Sequence, residues 1–403
     1  MKYVPIPIAM LAVGSPLPVD VWSDTGQLLL KKGQPIVSEQ HREKLHSFNA
    51  SSTPTDAMAW QRAYERMVHA MIREGVELQV ISSAPMPSEI RESDYVVGQE
   101  ARGGWLDLQA VLRGILYQGG LAINPASRLE GIKVKGLALL KADADDSLFC
   151  LFQALGDESL GYCATHALLC FAICELTGQK LGWSLADREP LHSATLTMNI
   201  AMAREQDSMA RQSSALTDWQ RSLIQAHAGQ SAQVLTEFGW DEADLLDIVR
   251  WHHAPQSPDA MPRNRGRRKL LHLADGFVAR TAARKTRAAQ SAVKAVKSMV
   301  LGAEGDTVGL SSAMAQAVGF YPPGSYVLLA NGDTAVAAQR GLRANTPWVI
   351  SIADKDNMPI THYVCRDSSE PQYTIQTPVT FESVRVVVQP ERVRRARERI
   401  PKP

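Results

Sequence analysis

Histidine and aspartate side chains that could act as metal ligands recur through the middle of this chain. His227, the adjacent pair His252 and His253, and Asp275 fall near the ends or on the inner faces of successive predicted helices. Imidazole nitrogens and carboxylate oxygens bind ions such as iron, manganese and zinc. An ion held in this way could activate water for phosphate-ester hydrolysis. The spacing therefore predicts a metal site of that kind, with His166 as a further ligand from an upstream helix.

Each of these residues also has an ordinary structural explanation. A single histidine on an apolar helix face, as at His166 or His227, is more often a hydrogen-bonded core or surface group than a ligand. The adjacent pair of histidines could simply end a helix, where a protonated imidazole favours the negative end of the helix dipole. Asp275 could pair with Arg280 at the surface. The ordered set, more than any one member, favours metal binding.

Composition and charge limit the class of protein. The chain has 403 residues, of which 45% are hydrophobic and 21% charged, and 43 basic residues nearly balance 42 acidic ones. We expect a soluble protein of several domains, without an overall field that attracts nucleic acid. No apolar run reaches the ~20 residues that span a bilayer, and Pro5 and Pro7 interrupt the start where a signal peptide needs an apolar core. These features predict a cytoplasmic protein without a membrane partner.

The cysteines indicate a reducing compartment. There are five, an odd number that does not suggest a disulfide framework. Cys163, Cys170 and Cys174 share one helical stripe with His166. The eleven residue steps of helix from Cys163 to Cys174 extend ~16 Å. One zinc ion, however, holds its ligands at ~2.0–2.3 Å. We therefore expect these cysteines to be small apolar core residues.

The pattern along the chain predicts a mainly α protein with three parts. Residues 1–80 form a small α+β unit, with a hairpin around Asp24 and Gly26 and a helix over 39–48 capped by Ser38. Residues 105–302 form a helical domain, and residues 303–403 a small β module with a basic helical tail over 392–399. The predicted helices of the second part cover 106–117, 129–141, 147–155, 161–177, 194–209, 217–238, 241–253, 269–283 and 288–301. The predicted strands of the third cover 326–329, 334–338, 348–352 and 383–388, with a tight turn at Asn331 and Gly332.

The order of the candidate ligands resembles the HD-GYP family of cyclic-di-GMP phosphodiesterases. The resemblance covers residues 162–352 and implies an HD-type helical bundle as the core of the protein. It rests on the following matches: Tyr162 and His166 as the first histidine segment, Leu216 and Thr217 leading to His227, the pair His252 and His253, and Ala274 before Asp275.

The chain departs from the family at the His-Asp dyad. Counting without gaps places Met198 and Asn199 there, and an insertion of six residues places His192 and Ser193 there instead. In the family, the aspartate of this dyad bridges two metal ions and a nearby lysine contacts phosphate. Neither alignment supplies the carboxylate. We therefore expect at most one transition-metal ion, iron, manganese or zinc, or none.

A basic run replaces the Gly-Tyr-Pro loop of the family. It contains five cations within residues 263–269, and Arg side chains match phosphate oxygens with two parallel hydrogen bonds. The run is predicted to contact phosphate of a bound nucleotide, although a solvated loop is an equal alternative. Its cations are Arg263, Arg265, Arg267, Arg268 and Lys269.

Together, the resemblance and the missing dyad suggest a degenerate HD-GYP-like protein in bacterial cyclic-di-GMP signalling. Such a protein would bind cyclic-di-GMP, a related nucleotide or a signalling protein, with weak or no hydrolysis. One alternative is an active metal-dependent phosphodiesterase in which His192 or Asn199 completes an altered site. Another is a scaffold of the non-catalytic HDOD type, in which the histidines are incidental. The basic tail has few aromatic neighbours, so nucleic acid is not an expected partner.

Overall fold

A computed structural model describes residues 3–23, 25–73, 76–91, 104–122, 124–157, 160–285 and 289–400. The chain divides into two compact units, Met1–Glu100 and Ala101–Pro403. Helices dominate, and each unit adds one small antiparallel sheet. The predicted fold class, mainly α with a C-terminal strand module, is confirmed.

The first unit is a small α+β structure around a core that includes Val21, Ile36 and Trp60. Its strands lie in the order β1-β4-β2-β3. The Ser38 hydroxyl accepts a hydrogen bond from the His41 amide and so caps the first helix, as predicted. The elements are β1 Val4–Pro5, β2 Val21–Trp22, β3 Leu28–Leu30, α1 Glu39–Ser47, β4 Ser51–Ser52, α2 Pro54–Arg73 and α3 Leu78–Ser82.

The second unit is a helical bundle arranged around one central helix, α7. Every residue of α7 from Cys163 to Gly178 is buried, since α4, α6, α8, α9, α12 and α14 all pack against it. A helix enclosed on all sides has no separate polar face toward solvent. The helices of this bundle are α4 Trp105–Gln118, α5 Pro125–Ala142, α6 Ala144–Gly156, α7 Tyr162–Lys180, α8 Leu185–Thr197, α9 Ala203–Arg211, α10 Asp218–Glu237, α11 Ala243–Trp251, α12 Arg265–Thr281, α13 Ala292–Leu301 and α14 Thr307–Val318.

The start of α7 depends on a glycine and a buried aspartate. The Asp207 carboxylate accepts hydrogen bonds from the backbone amides of Tyr162 and Cys163, which have no partner within the helix. Gly161 has a φ of +87°, and a Cβ there would lie 2.8 Å from Asp207 Oδ2. Glycine is therefore required where the chain enters the helix that carries His166.

One helix prediction was wrong in its extent. Residues 194–209 are not one helix, because α8 begins at Leu185 and ends at Thr197, and α9 begins only at Ala203. A short 3₁₀ turn over Ile200–Met202 separates them. Met198 and Ile200 are both buried, so the apolar periodicity continues across a break in the backbone hydrogen bonds.

The C-terminal part of the second unit is a five-stranded antiparallel sheet in the order β8-β7-β6-β5-β9. The turn between the first two strands matches its prediction, because Gly332 has a φ of +87° and the Leu329 amide donates to the Asp333 carbonyl. The strands are β5 Tyr326–Leu329, β6 Thr334–Gln339, β7 Trp348–Ala353, β8 Cys365–Asp367 and β9 Ile375–Val379.

The predicted strand over 383–388 was wrong. Residues Phe381–Ser383 form a 3₁₀ turn, and the valines that follow bury one side against Phe149 and Tyr326 without pairing their backbone with the sheet. Alternating burial therefore arose without a strand. The sheet recruits β8 and β9 in its place, two short strands whose outward residues are polar.

The basic tail forms the last helix, α15 Pro390–Arg397, as predicted. It packs against the β module through Val393 and Ala396. Arg394 and Arg397 make ion pairs with Asp146 and Asp143 at the start of α6. The positive charge of the tail is therefore partly used to hold it against the helical bundle.

The five cysteines are free thiols, and three of them, Cys163, Cys170 and Cys174, are buried as predicted.

Helix α14 lies within the segment assigned from sequence to the β module, yet packs against α7. The division at residues 80, 105 and 303 stays a prediction. Within the described residues, we find no helix long and apolar enough to cross a membrane.

Candidate metal centre

Three imidazoles meet beside α12, one from a helix and two from the turn that follows another helix. His227 lies on α10, which begins with a reciprocal capping box between Thr217 and Gln220. His252 and His253 follow the last residue of α11. One ring nitrogen from each of the three histidines lies within 4.8 Å of the other two. Within the described part of the chain, it is the group of three or more candidate ligands that lie close enough together to hold a metal ion.

The backbone fixes the tautomers of the two buried histidines. His227 Nδ1–H donates to the Ile224 carbonyl at 2.5 Å, and His252 Nδ1–H donates to the Val249 carbonyl at 2.7 Å. Each ring therefore keeps a lone pair on Nε2. Both Nε2 atoms are buried without a hydrogen-bond partner. Metal-binding histidines commonly donate their other ring N–H to a carbonyl in this way.

Burial also keeps these imidazoles neutral. Removal from water lowers the pKa of His252 to about 3, and the neighbouring His253 adds to the effect. Burial likewise lowers the pKa of His227, although its hydrogen bond to the Ile224 carbonyl acts in the opposite direction. A neutral imidazole is the form that binds a metal ion. At neutral pH the lone pairs of the cluster are available without loss of a proton.

The other two predicted ligands form a pair of their own. His166 Nε2 lies 2.8 Å from Asp275 Oδ1, and the Tyr162 hydroxyl lies 2.8 Å from His166 Nδ1. The pair places His166 Nε2–H as the donor to the carboxylate and Tyr162 O–H as the donor to Nδ1. Asp275 therefore has His166 as its partner, rather than Arg280. Whether His166 and Asp275 also ligate a metal stays a prediction.

Asp275 is the carboxylate that acts electrostatically on the cluster. Burial alone would raise its pKa, but the hydrogen bond from His166 and the nearby His252 and His253 hold the pKa well below its usual range. The carboxylate in turn raises the pKa of each cluster histidine, although burial outweighs it. A negative charge thus lies beside three neutral imidazoles, an arrangement that favours a cation.

The residues at the dyad position lie outside the cluster. His192 Nε2 is 2.6 Å from Glu175 Oε2, in a buried contact between α8 and α7. Met198 and Asn199 are buried in the turn after α8, and Ser193 accepts a hydrogen bond from the Thr197 hydroxyl at its carbonyl. None of the four supplies a carboxylate. Their part in an altered dyad stays a prediction.

The basic run is helical and compensated by acidic residues. It forms a 3₁₀ turn and the first turns of α12, and its five cations each contact a carboxylate of the same unit. Phosphate contact therefore stays a prediction, and it would require these ion pairs to open. The pairs are Arg263 with Asp244, Arg265 with Asp306, Arg267 with Asp187, Arg268 with Asp247, and Lys269 with Asp306.

A cation that the sequence did not single out contacts Tyr162, whose hydroxyl donates to His166. The Arg284 guanidinium stacks over the Tyr162 ring at 5.4 Å, and its Nη2 is 3.4 Å from the Tyr162 hydroxyl. Arg284 Nε is buried without a hydrogen-bond partner, and among the described residues no carboxylate pairs with this side chain. Neighbouring basic residues hid it in the sequence, since Arg280 and Lys285 carry the same charge.

Comparisons with known proteins give one distant likeness. No protein-family model and no curated protein matches the chain. Among solved structures, the chain is similar to an HDG"Y"P protein from Bdellovibrio bacteriovorus, with 14% identity and a TM-score of 0.39. The match covers 77% of this chain and 98% of the other. A TM-score this low does not establish a common fold.

Proposed function

We propose that this chain is a degenerate HD-GYP-like protein of bacterial cyclic-di-GMP signalling. It holds a single transition-metal ion and binds the nucleotide or a signalling partner, with weak or no hydrolysis. The proposal combines the order of the histidine motifs in the sequence with the chemistry of the three-histidine cluster.

The observation that carries the proposal is the pair of orphaned nitrogens, His227 Nε2 and His252 Nε2. A buried acceptor without a partner is unfavourable by about 1–3 kcal/mol, and two of them face one small space together with His253. One ion of iron, manganese or zinc would satisfy both. When bound, such an ion would supply positive charge and Lewis acidity that attract an anionic oxygen of phosphate.

Weak or absent hydrolysis follows from the number of carboxylates. Two-metal phosphodiester hydrolysis holds its ions about 3.5–4 Å apart around a bridging oxygen, and a bridging carboxylate offsets the repulsion between the cations. Asp275, the carboxylate beside the cluster, already accepts a hydrogen bond from His166. Histidine, serine, methionine and asparagine at the dyad positions carry no negative charge. The ligands therefore suit one ion better than two.

Nucleotide binding is supported by the charges around the cluster. Arg284 lies beside Tyr162 and the His166–Asp275 pair, and no carboxylate of the described residues pairs with its guanidinium. An arginine that is not already paired can bind phosphate without first breaking an ion pair. The basic run at the start of α12 could add to this attraction, after rearrangement of its own pairs.

The test is metal content, nucleotide affinity and turnover of the same preparation. The protein is loaded separately with iron, manganese or zinc, titrated with cyclic-di-GMP by calorimetry, and assayed for hydrolysis by chromatography. His227→Asn removes a cluster ligand, and His362→Asn is its control, because His362 is exposed in the loop before β8. We expect binding that depends on His227, with turnover far below that of an intact HD-GYP enzyme.

The other outcomes assign the alternatives. Turnover comparable to an intact family member would mean that the protein is an active phosphodiesterase. A protein that binds neither metal nor nucleotide would instead be a scaffold of the HDOD type, and the proposal would be wrong.

A further inference from the structure

The turn that carries His252 and His253 is held by a side chain from another helix. Helix α11 ends at Trp251, so the carbonyls of its last turn lack partners within the helix. The Ala254 amide donates to the Trp251 carbonyl at 3.0 Å. The His252 carbonyl instead accepts a hydrogen bond from His272 Nδ1–H, on α12, at 2.9 Å.

His272 also contacts the second histidine of the turn. Its ring meets the His253 ring edge to face, with centroids 6.2 Å apart and planes at 87°. It lines a cavity of about 480 Å³ next to the turn, together with Ala254 and Lys269. One side chain therefore contacts the backbone of His252 and the ring of His253.

His272 is exposed, so its contact with the turn can be distinguished from core packing. Its side chain is exposed, whereas Leu270 and Leu271 beside it on α12 are buried. A truncation at an exposed position removes little buried apolar area, so its main consequence is the lost hydrogen bond. The contact with His252 should therefore be separable from the stability of the unit.

We propose that His272 is a positioning residue, which fixes the turn after α11 so that His252 and His253 stay aimed at His227. The inference rests on the proposed metal site. The two buried histidines already have their ring N–H groups anchored on their own helices. His272 adds the anchor for the backbone between α11 and α12, which sets where the second and third imidazoles lie.

The chemistry of the side chain allows a sharp test. Asparagine places an amide N–H close to the position of His Nδ1, whereas glutamine places it close to Nε2. Three variants, His272→Ala, His272→Asn and His272→Gln, are compared with wild type, and His362→Ala serves as an exposed-histidine control. The probe is Co²⁺, whose visible absorption reports its ligands. Hydrogen exchange of residues 250–257 is measured on the same metal-free proteins.

We expect His272→Ala to weaken Co²⁺ binding by 10–100-fold, the range for groups that orient metal ligands, and to speed hydrogen exchange in the turn. His272→Asn should restore most of both properties, while His272→Gln should resemble His272→Ala. Circular dichroism and the melting temperature should change little in all of them.

Two results would overturn the inference, in distinguishable ways. If wild-type protein binds Co²⁺ and His272→Ala leaves the affinity unchanged, the positioning role is wrong and the proposed site stands. The same conclusion follows if His272→Asn and His272→Gln lose Co²⁺ affinity equally. Wild-type protein that binds no metal would overturn both.

Discussion

His166 contacts Asp275 through its Nε2 atom at 2.8 Å, and this hydrogen bond joins α7 to α12 beside the three-histidine cluster. It uses the nitrogen that His166 would otherwise offer to a metal, and it holds the Asp275 carboxylate beside the cluster in its ionised form. The candidate centre therefore consists of three neutral imidazoles with a neighbouring negative charge.

The first prediction concerns metal stoichiometry. One transition-metal ion per chain is expected, because one group of three ligand atoms lies close enough together within the described residues. His227→Asn should lower metal affinity at least 100-fold, since it removes one of three ligands. Asp275→Asn should have a smaller effect, because it removes only a neighbouring charge. Elemental analysis after dialysis measures both, and two tightly held ions per chain would contradict the prediction.

The second prediction concerns the pH dependence of metal binding. A histidine with an ordinary pKa near 6.5 begins to lose its ligand form below neutral pH, since protons compete with the metal. Burial lowers the pKa of His252 to about 3 and also lowers that of His227. Protons should therefore compete weakly, and the Co²⁺ affinity should fall less than tenfold between pH 7.5 and about 6. A steeper fall, measured by calorimetry in matched ionic strength, would show that the cluster is solvated.

The third prediction compares the cations proposed to meet phosphate. Arg284→Ala should weaken cyclic-di-GMP binding by roughly 1.5–3 kcal/mol, the range for charged hydrogen bonds, since its buried Nε has no hydrogen-bond partner and no described carboxylate must be released first. The basic-run prediction is tested by Arg265→Ala with Arg267→Ala, measured by calorimetry at two salt concentrations. A loss in the double variant that shrinks as salt rises would support the run. Unchanged affinity on loss of Arg284 would remove it from the site.

The fourth prediction concerns stability in acid. Burial would raise the pKa of Glu175, but hydrogen bonds from His192, Arg188 and Gln179 lower it to about 2. Because the folded pKa lies below the unfolded value near 4.3, the ionised carboxylate stabilises the fold above that pH. This stabilisation is lost as the pH falls toward 2.

Glu175→Gln should therefore lower the free energy of unfolding at pH 7 by on the order of 3 kcal/mol, the range for breaking a buried ion pair. The difference from wild type should shrink below about pH 4. The control is Glu189→Gln, since Glu189 pairs with Lys133 from an exposed position and should matter by less than about 1 kcal/mol. Urea unfolding followed by circular dichroism measures both. A difference that does not change with pH would mean that the charge of Glu175 is not responsible.

The features that the sequence determined by itself are local. Thr217 and Gln220 lie three residues apart and cap α10 reciprocally, so their geometry follows from adjacent backbone alone. Asn331 and Gly332 form their turn for the same reason, because glycine accepts a positive φ without strain. The helical periodicity also predicted α10, α11 and α12 to within a few residues. His227 and Asp275 lie on two of these helices, and His252 directly follows the third.

Contacts between distant segments were decided only by the tertiary structure. Apolar periodicity could not reveal the break after Thr197, nor that the valines near Val386 would be buried without a strand, because both depend on which neighbours cover them. The sequence predicted five metal ligands as a set. The structure brings three of them together and pairs His166 with Asp275, because the packing of α7, α10, α11 and α12 sets the distances between side chains. It also gives each cation of the basic run an acidic partner far along the chain, a choice that charge spacing cannot encode.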